Sequence, residues 1–397
     1  MKTPGWLVII ILSMVLDAAG QVVRPGAGPI WRRHTIDASA QGADGVKLGD
    51  LNRDGRPDLV TGWEEGGVVR VYLNPGKERM KGAWETMTVG KVMDAEEAIF
   101  TDLDGDGKLE VVSGTEGTTR QVFWHRRVDG QWRTDPFPAT AGKQMWMQIV
   151  ELDLDGQHGR DLLLGSKGKG AAIGWLRAPE KAEELAAWGY FELRKAGWIM
   201  SLETADMDED GDLDVVFTDR KGERCGLFWL ENPGPDRVRA GEVWIEHEIG
   251  ALGREVVFAD VGHFDDDPWL DVAVAVKPTA IHLFRGRADG GWRPQVIQLL
   301  DQAIGKAKAV NMADLNGDGL TDLVFTCEDA KGEREGVIWL ETQGGDQWLQ
   351  HSLGGADGVK FDLIQVLDLD GDGDLDVITC EERDQLGVIW YENPTVK

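Results

Sequence analysis

Seven times along this chain a tryptophan opens the same succession of segments: Trp31, Trp84, Trp132, Trp188, Trp244, Trp292 and Trp348. The intervals run from 48 to 56 residues, a blade-sized period. A chain with such a period folds as a set of like units, none of which buries its faces alone.

Within each unit the order of segments is constant. A short strand follows the tryptophan (WRRHTI, WIEHEI, WLQHSL) and an apolar strand comes next (EEAIFTD, LIQVLD). An Asp-rich loop (DLDGDGKLE) then leads into a β-branched strand (LDVVFT, LDVITC). A Gly-containing turn and a last strand (GLFWLENPG, GVIWYENP) close the unit. Alternating apolar residues, many of them Val and Ile, with Gly, Pro and Asn at the joints, mark strands rather than helices. Only residues 179–188, with KAEELAA, have a helical composition, and they lie in a connection.

Four strands per unit and seven units predict an all-β chain. The expected architecture is a seven-bladed β-propeller of four-stranded antiparallel blades, because radial stacking buries both faces of each small sheet. The strand Trp31 to Ile36 precedes any complete unit, and the last unit stops at Pro394 after its third strand. The N-terminal strand is therefore expected to complete the last blade, which leaves no open edge. Residues 21–397 make one such domain.

Residues 1–20 read as a signal peptide: Lys2, an apolar run of 11 residues from Trp6 to Leu16, and Ala18-Ala19-Gly20 for cleavage. That run is too short to span a bilayer, and no second one of membrane length follows. The expected product is exported, without a transmembrane segment: secreted, periplasmic or at the cell surface.

Twelve of the 17 tryptophans occupy two framework positions, the seven above and Trp124, Trp175, Trp229, Trp339 and Trp390 on the last strand, with Tyr72 and Phe284 as their expected replacements in two units. His34, His247 and His351 also recur at one framework position. These are read as blade-packing residues. The three cysteines, Cys225, Cys327 and Cys380, form no disulfide framework. Cys327 and Cys380 stand at matching points of adjacent units, so a bridge is possible, but buried free thiols are expected.

The Asp-rich loop carries the chemistry. It reads D-x-[DN]-x-[DN]-G-x-x-[DE]. In the first unit it supplies Asp50, Asn52, Asp54 and Asp58; in the second Asp102, Asp104, Asp106 and Glu110; in the fourth Asp206, Asp208, Asp210 and Asp214. The sixth offers Asp314, Asn316, Asp318 and Asp322, and the seventh Asp368, Asp370, Asp372 and Asp376. Hard cations such as Ca2+ take six to eight oxygens at flexible geometry. Positions 1, 3 and 5 converge as the chain wraps, the glycine at 6 allows the sharp turn, and a carbonyl at 7 and carboxylate at 9 complete the cage. An EF-hand would need Glu at position 12 and a following helix. Position 12 here is Thr61, Ser113, Phe217, Phe325 or Thr379, and a strand follows. The third unit departs, with Asp153, Asp155 and Asp161 but Gln157 and His158 in the fifth and sixth places. Counted from Asp260, the fifth unit (Asp260 to Asp271) has the wrong spacing, and no ordinary site is expected there. About five Ca2+ ions are expected, all structural, since the cages repeat around the ring and close on protein oxygens whereas a catalytic ion keeps an open position.

With these loops and with phrases such as GVIWYENP and GLFWLENPG, the chain resembles the FG-GAP / VCBS repeat proteins, which include the integrin α-subunit head and exported bacterial proteins of VCBS type. The resemblance covers nearly the whole chain after residue 20. It implies the propeller and calcium ligation at the loop positions just named, and no single function.

Acids outnumber bases 70 to 42, for a net charge of -28. That balance argues against a nucleic acid or an anionic membrane as partner. The connections entering the innermost strands differ between units and are the candidate working surface. They hold Asp44 and Lys47; Glu96 and Glu97; Lys143, Gln144 and Trp146; Trp198; Arg254 and Glu255; Lys306 and Lys308; Asp357 and Lys360. From these the candidate ligand-binding set is Lys143, Trp146, Trp198, Arg254, Lys306, Lys308, Lys360, Glu96 and Glu97. Aromatic faces beside charges suit sugar rings, which favours a binding or adhesion module for a glycan or an extracellular protein. A polysaccharide lyase or a sugar dehydratase-like enzyme on a propeller, and a structural assembly scaffold, are the alternatives. No catalytic set of Ser/His/Asp, Cys/His or paired acids is recognisable.

Overall fold

The computed structural model describes residues 22–395. The signal-peptide segment lies outside them. Seven sheets form seven blades, and each runs from an innermost to an outermost strand in meander order. The innermost strands are Ala43–Gly49, Ala95–Thr101, Met145–Leu152, Ile199–Ala205, Val256–Gly262, Lys306–Ala313 and Phe361–Leu367. They define blades 1 to 7.

The ring closes as the repeat pattern predicts. Arg32–Asp37 pairs antiparallel with Gly387–Glu392, so the N-terminal strand is the outermost strand of blade 7. An unexpected strand precedes it: Val22–Pro25 adds in parallel to Gln347–Ser352, giving blade 6 a fifth strand. The predicted helical stretch contains only the 3-10 turn Leu185–Ala187, and the sole α-helix of the described residues is Pro235–Arg239, just past the last strand of a unit. Its proline at the first turn and the absence of a long apolar stripe fit so short an element.

The unit-opening tryptophans are largely interior, Trp348 being 1 % exposed and Trp188 3 %. All three cysteines are free, with Cys327 and Cys380 buried. The last-strand aromatics need one correction. Trp390 faces Ile378 and Trp229 faces Val216, and the same register places Val71 and Leu283 opposite Val60 and Ala273. Tyr72 and Phe284 stand one residue further on, opposite Leu59 and Val272. A one-residue offset puts a side chain on the other face of the sheet. They are therefore not replacements for the tryptophans.

The recurrent histidines are framework. His34, His247 and His351 stack on Trp390, Trp229 and Trp339 at centroid distances of 4.4, 4.1 and 4.5 Å. Each ring's Nε2 also meets a carboxylate two residues past that tryptophan, Glu392, Glu231 or Glu341, at 2.7 to 2.8 Å. A stacked ring with its polar atom satisfied is a stable cross-strand pair.

Candidate functional site

Every innermost strand carries a bulge near its start. The register slips between Asp44 and Lys47, Ala95 and Glu97, Trp146 and Gln148, Ile199 and Ser201, Val256 and Ala259, Ala307 and Val310, and Phe361 and Ile364. A bulge re-aims a side chain that a regular strand would send into the blade. The bulge residues Glu96, Met147, Met200, Phe258, Lys308 and Asp362 all line one cavity of about 400 Å3 at this mouth of the central channel.

The cavity has two unlike halves. Blades 3 to 5 contribute Met147, Met200, Phe258 and Trp198 together with Gln148, Lys167 and Arg220, while blades 6, 7, 1 and 2 contribute Lys308, Lys360, Asp362, Glu382, Asp44, Glu64 and Glu96. On the charged side, Lys308 is 4 % exposed, and its Nζ lies 2.5 Å from Asp362 Oδ2 and 2.8 Å from Glu382 Oε1. Lys360 holds the other Glu382 oxygen. Burial opposes the charge on Lys308, but Asp362 and Glu382 outweigh it and hold the ammonium well above its ordinary value. Burial, then the neighbouring Asp362 and Glu382, push Asp44 well above the usual carboxylate range. Burial and the charge of Glu96 raise Glu64 to about 7, and burial raises Glu97 to about 7 against the pull of Lys47. On the apolar side, the Trp198 ring carries Lys167, Arg220 and Lys221 at 4.8, 4.5 and 4.6 Å from its centroid.

Of the residues singled out in the sequence, Lys308, Lys360, Glu96, Glu97 and Trp198 meet at this cavity. Trp146 is 0 % exposed and packs edge-on to Tyr190 inside blade 3, so it offers no face to a ligand. Lys143, Arg254 and Lys306 are exposed outside the cavity; Lys143 lies over the Tyr190 ring and Lys306 pairs with Asp329 at 2.8 Å. Sequence reasoning missed Glu64, Glu116, Lys167, Arg220, Glu328 and Glu382. All lie at or just past the end of a second strand, which antiparallel pairing returns to the mouth. The residues directly after each β-branched run were the available signal.

The Asp loops lie at the opposite end of the innermost strands. Their ninth-position carboxylate is a staple. Asp58 Oδ2 accepts from Leu51 N at 2.9 Å, and Oδ1 accepts from Asn74 N, on the last-strand side, at 2.8 Å. Asp214 does the same with Met207 and Asn232, Asp322 with Leu315 and Thr342, and Asp376 with Leu369 and Asn393. Asp161 repeats it in blade 3 with Leu154 and Ala178. Asp271 repeats it in blade 5, accepting from Phe264 N at 2.7 Å and Gly286 N at 2.9 Å. This fixes the fifth loop's register. It runs from His263 to Asp271 with ordinary spacing, and the count from Asp260 is wrong because Asp260 belongs to the innermost strand and accepts from Met312 N on the innermost strand of the neighbouring blade 6. The unusual features are His263 at position 1 and Pro268 at position 6.

Position 6 explains the local conformation. Gly55, Gly107, Gly211, Gly319 and Gly373 are all left-handed, at φ 80 to 101. His158 adopts φ 64 there in blade 3, at a strain a glycine avoids. Pro268 cannot, since its ring fixes φ near −65°.

Asp102, Asp104, Asp106 and Glu110 each offer an oxygen within 4.8 Å of the others, as do Asp206, Asp208 and Asp210, and Asp153, Asp155 and Asp161. Asp102 Oδ1, Asp155 Oδ2 and Asp370 Oδ1 are buried with no hydrogen-bond partner, Asp155 Oδ2 alone of the three having an ion pair, with Arg177. Burial and the surrounding carboxylates raise Glu110 to about 8, and burial raises Asp322 and Asp376 to about 7. All-oxygen donor sets with orphaned atoms and strained ionisation fit a hard cation. These acidic clusters could therefore hold metal ions.

Residues 50–113 and 263–325 match a family model, that of the FG-GAP-like repeat. Both stretches begin at the first position of an Asp loop, which agrees with the register found in blade 5. A search of curated proteins gave no significant match.

Proposed function

Taking the chain as a seven-bladed propeller that carries FG-GAP-like repeats, we propose that it is a calcium-stabilised, exported binding module whose ligand, a glycan or an extracellular protein, enters the channel mouth. One observation carries this: the bulged innermost strands deliver non-equivalent side chains to one cavity of about 400 Å3, with Met147, Met200, Phe258 and a cation-covered Trp198 on one side and a cluster of carboxylates and lysines on the other. Ligand sites combine apolar lining with a few fixed polar groups in a volume of this order. A sugar ring or a peptide side chain has one apolar face and a polar edge to match. Larger clefts of about 1180 and 730 Å3 flank the outer strands of blades 4 to 6, but the bulge residues do not converge on them.

Calcium would be held in the loops of blades 1, 2, 4, 6 and 7 by the residues at positions 1, 3 and 5, with Glu110 long enough to join in blade 2. Its contribution is charge neutralisation and stability. A lyase would need a lysine that gives up its proton easily, and Lys308 and Lys306 are both held above the ordinary lysine value by carboxylates.

The test is a glycan array, and a panel of extracellular matrix proteins, probed with the wild type and with Met200→Trp, which fills the cavity. Binding by the wild type that the variant loses by tenfold or more is expected. Equal binding by both would remove the mouth as the site. Unsaturated product from uronic polysaccharides, seen by ultraviolet absorbance, would favour the lyase. Silence in all three assays would leave the scaffold.

A further inference from the structure

We infer that Arg177 in blade 3 and Arg285 in blade 5 are built-in counter-cations that take the place of an ion in their Asp loops. This rests on the proposal that the other loops take calcium. The last-strand residue opposite the first residue after each loop is fixed by pairing: Leu176, Leu230, Phe284, Leu340 and Tyr391 in blades 3 to 7. One residue further on stands a glutamate in blades 4, 6 and 7, namely Glu231, Glu341 and Glu392. In blades 3 and 5 that place is held by Arg177 and Arg285; in blade 1 it is Leu73, and in blade 2 it is Arg126, whose Nε pairs with Asp135 at 3.2 Å and not with its loop. These are the two blades whose loops lack the glycine at position 6.

Both arginines reach loop position 3. Arg177 Nε lies 2.7 Å from Asp155 Oδ2, a side chain that is 0 % exposed, and Arg285 Nε lies 3.3 Å from Asp265 Oδ2. Neither guanidinium is loose. Arg177 lies over the Trp175 ring and Arg285 over Phe264, and Arg285 also donates to Gln295 Oε1 at 2.7 Å. A fixed positive group beside the oxygen that would face the ion offsets that oxygen's charge and repels a divalent cation.

The other loops lack this arrangement. Arg56 and Lys108 pair with position 5 of their own loops, from side chains 46 % and 70 % exposed. In blade 7, Lys81 is 44 % exposed, lies 2.5 Å from Glu392 and only 3.6 Å from Asp370, and so serves the glutamate first.

Hydrogen exchange of the wild type, compared loop by loop in calcium and in excess chelator, tests this. Residues 50–58, 102–110, 206–214, 314–322 and 368–376 are expected to exchange about tenfold faster or more in chelator, and 153–161 and 263–271 to change by less than about twofold. Arg177→Gln is expected to speed exchange of 153–161 equally with and without calcium, and Arg285→Gln to do so for 263–271. Opening of 153–161 and 263–271 together with the other loops on chelation would overturn the inference. If no loop responds to chelator, the calcium assignment falls and the two variants decide the arginines alone, unchanged exchange in both counting against them. Should Arg177→Gln fail to fold, the wild-type comparison and Arg285→Gln carry the same decision.

Discussion

At one end of the ring, five of the seven loops repeat nearly residue for residue; at the other, seven strands share a backbone bulge and little else. The difference lies in what each end's geometry is made of. An Asp loop is built from local side-chain to backbone bonds, such as Asp50 Oδ2 to Gly55 N at 2.9 Å and Asp54 Oδ1 to Arg56 N at 3.0 Å. Each blade must satisfy these by itself, so each blade needs nearly the same residues. A mouth residue is positioned by the bulge, which backbone pairing makes, so the side chain is free to differ. Uniformity marks the frame and unevenness marks the working surface.

Chelation is the widest probe of the uniform end. If five loops hold calcium, its removal should lower the melting temperature by more than about 10 °C, since even one site at a hundredfold excess over Kd is worth about 2.7 kcal/mol. Calorimetry with and without chelator measures it. An unchanged transition would leave the loops as turns alone and would erase the functional contrast between the ends.

At the mouth the largest single effect is expected from Lys308→Met. It strands the buried carboxylates of Asp362 and Glu382, which have Lys308 within 2.8 Å. Losing one member of such a cluster costs about 3–5 kcal/mol. The double change Lys308→Met with Asp362→Asn should recover part of it in urea unfolding. No recovery would mean the lysine packs rather than neutralises.

How much of this was legible depends on the range of the interactions. The ring and its closure followed from the repeat, because tryptophans and Asp loops punctuate the sequence at a fixed period. The residue at position 9 is visible in the sequence as a carboxylate of the loop, but its role as a staple is not. Its partners, such as Asn74 and Asn232, lie 16 and 18 residues away and depend on pairing between strands. The fifth loop was misregistered because Asp260 looked like a first position, and only the Asp271 bonds fix the count. At the mouth, Lys308 and Glu96 were legible from the strand entries. Glu382 and Lys167 were not, since they arrive from the far ends of neighbouring strands. The added strand Val22–Pro25 has no repeat counterpart and left no periodic signal.

Asp214→Ala separates staple from ligand. It leaves Met207 N and Asn232 N without their acceptor, worth about 2–4 kcal/mol whether or not calcium is present. Asp208→Asn, at position 3 of the same loop, should cost stability only in calcium. Equal costs in both conditions for both variants would show that the loop needs its hydrogen bonds and no ion.

The smallest effect is one of pH, and it belongs to the channel between the two ends. Asp260 is lifted to about 7, chiefly by burial, from an ordinary value of 3.8. Between those limits the folded chain keeps a proton that the unfolded chain has released. Stability therefore falls as pH rises through this window and levels off above it. In excess calcium, which fixes the charge state of the loops, the melting temperature should decline from pH 5 to pH 8, with Asp260 contributing about 2 kcal/mol. Asp260→Asn removes the titrating proton while its carbonyl oxygen can still accept from Met312 N, a bond of 2.7 Å in the wild type. The variant's slope should be flatter and its stability at pH 8 higher than the wild type's. An unchanged slope would place the channel's proton elsewhere, with Glu97, also raised to about 7, as the next residue to substitute.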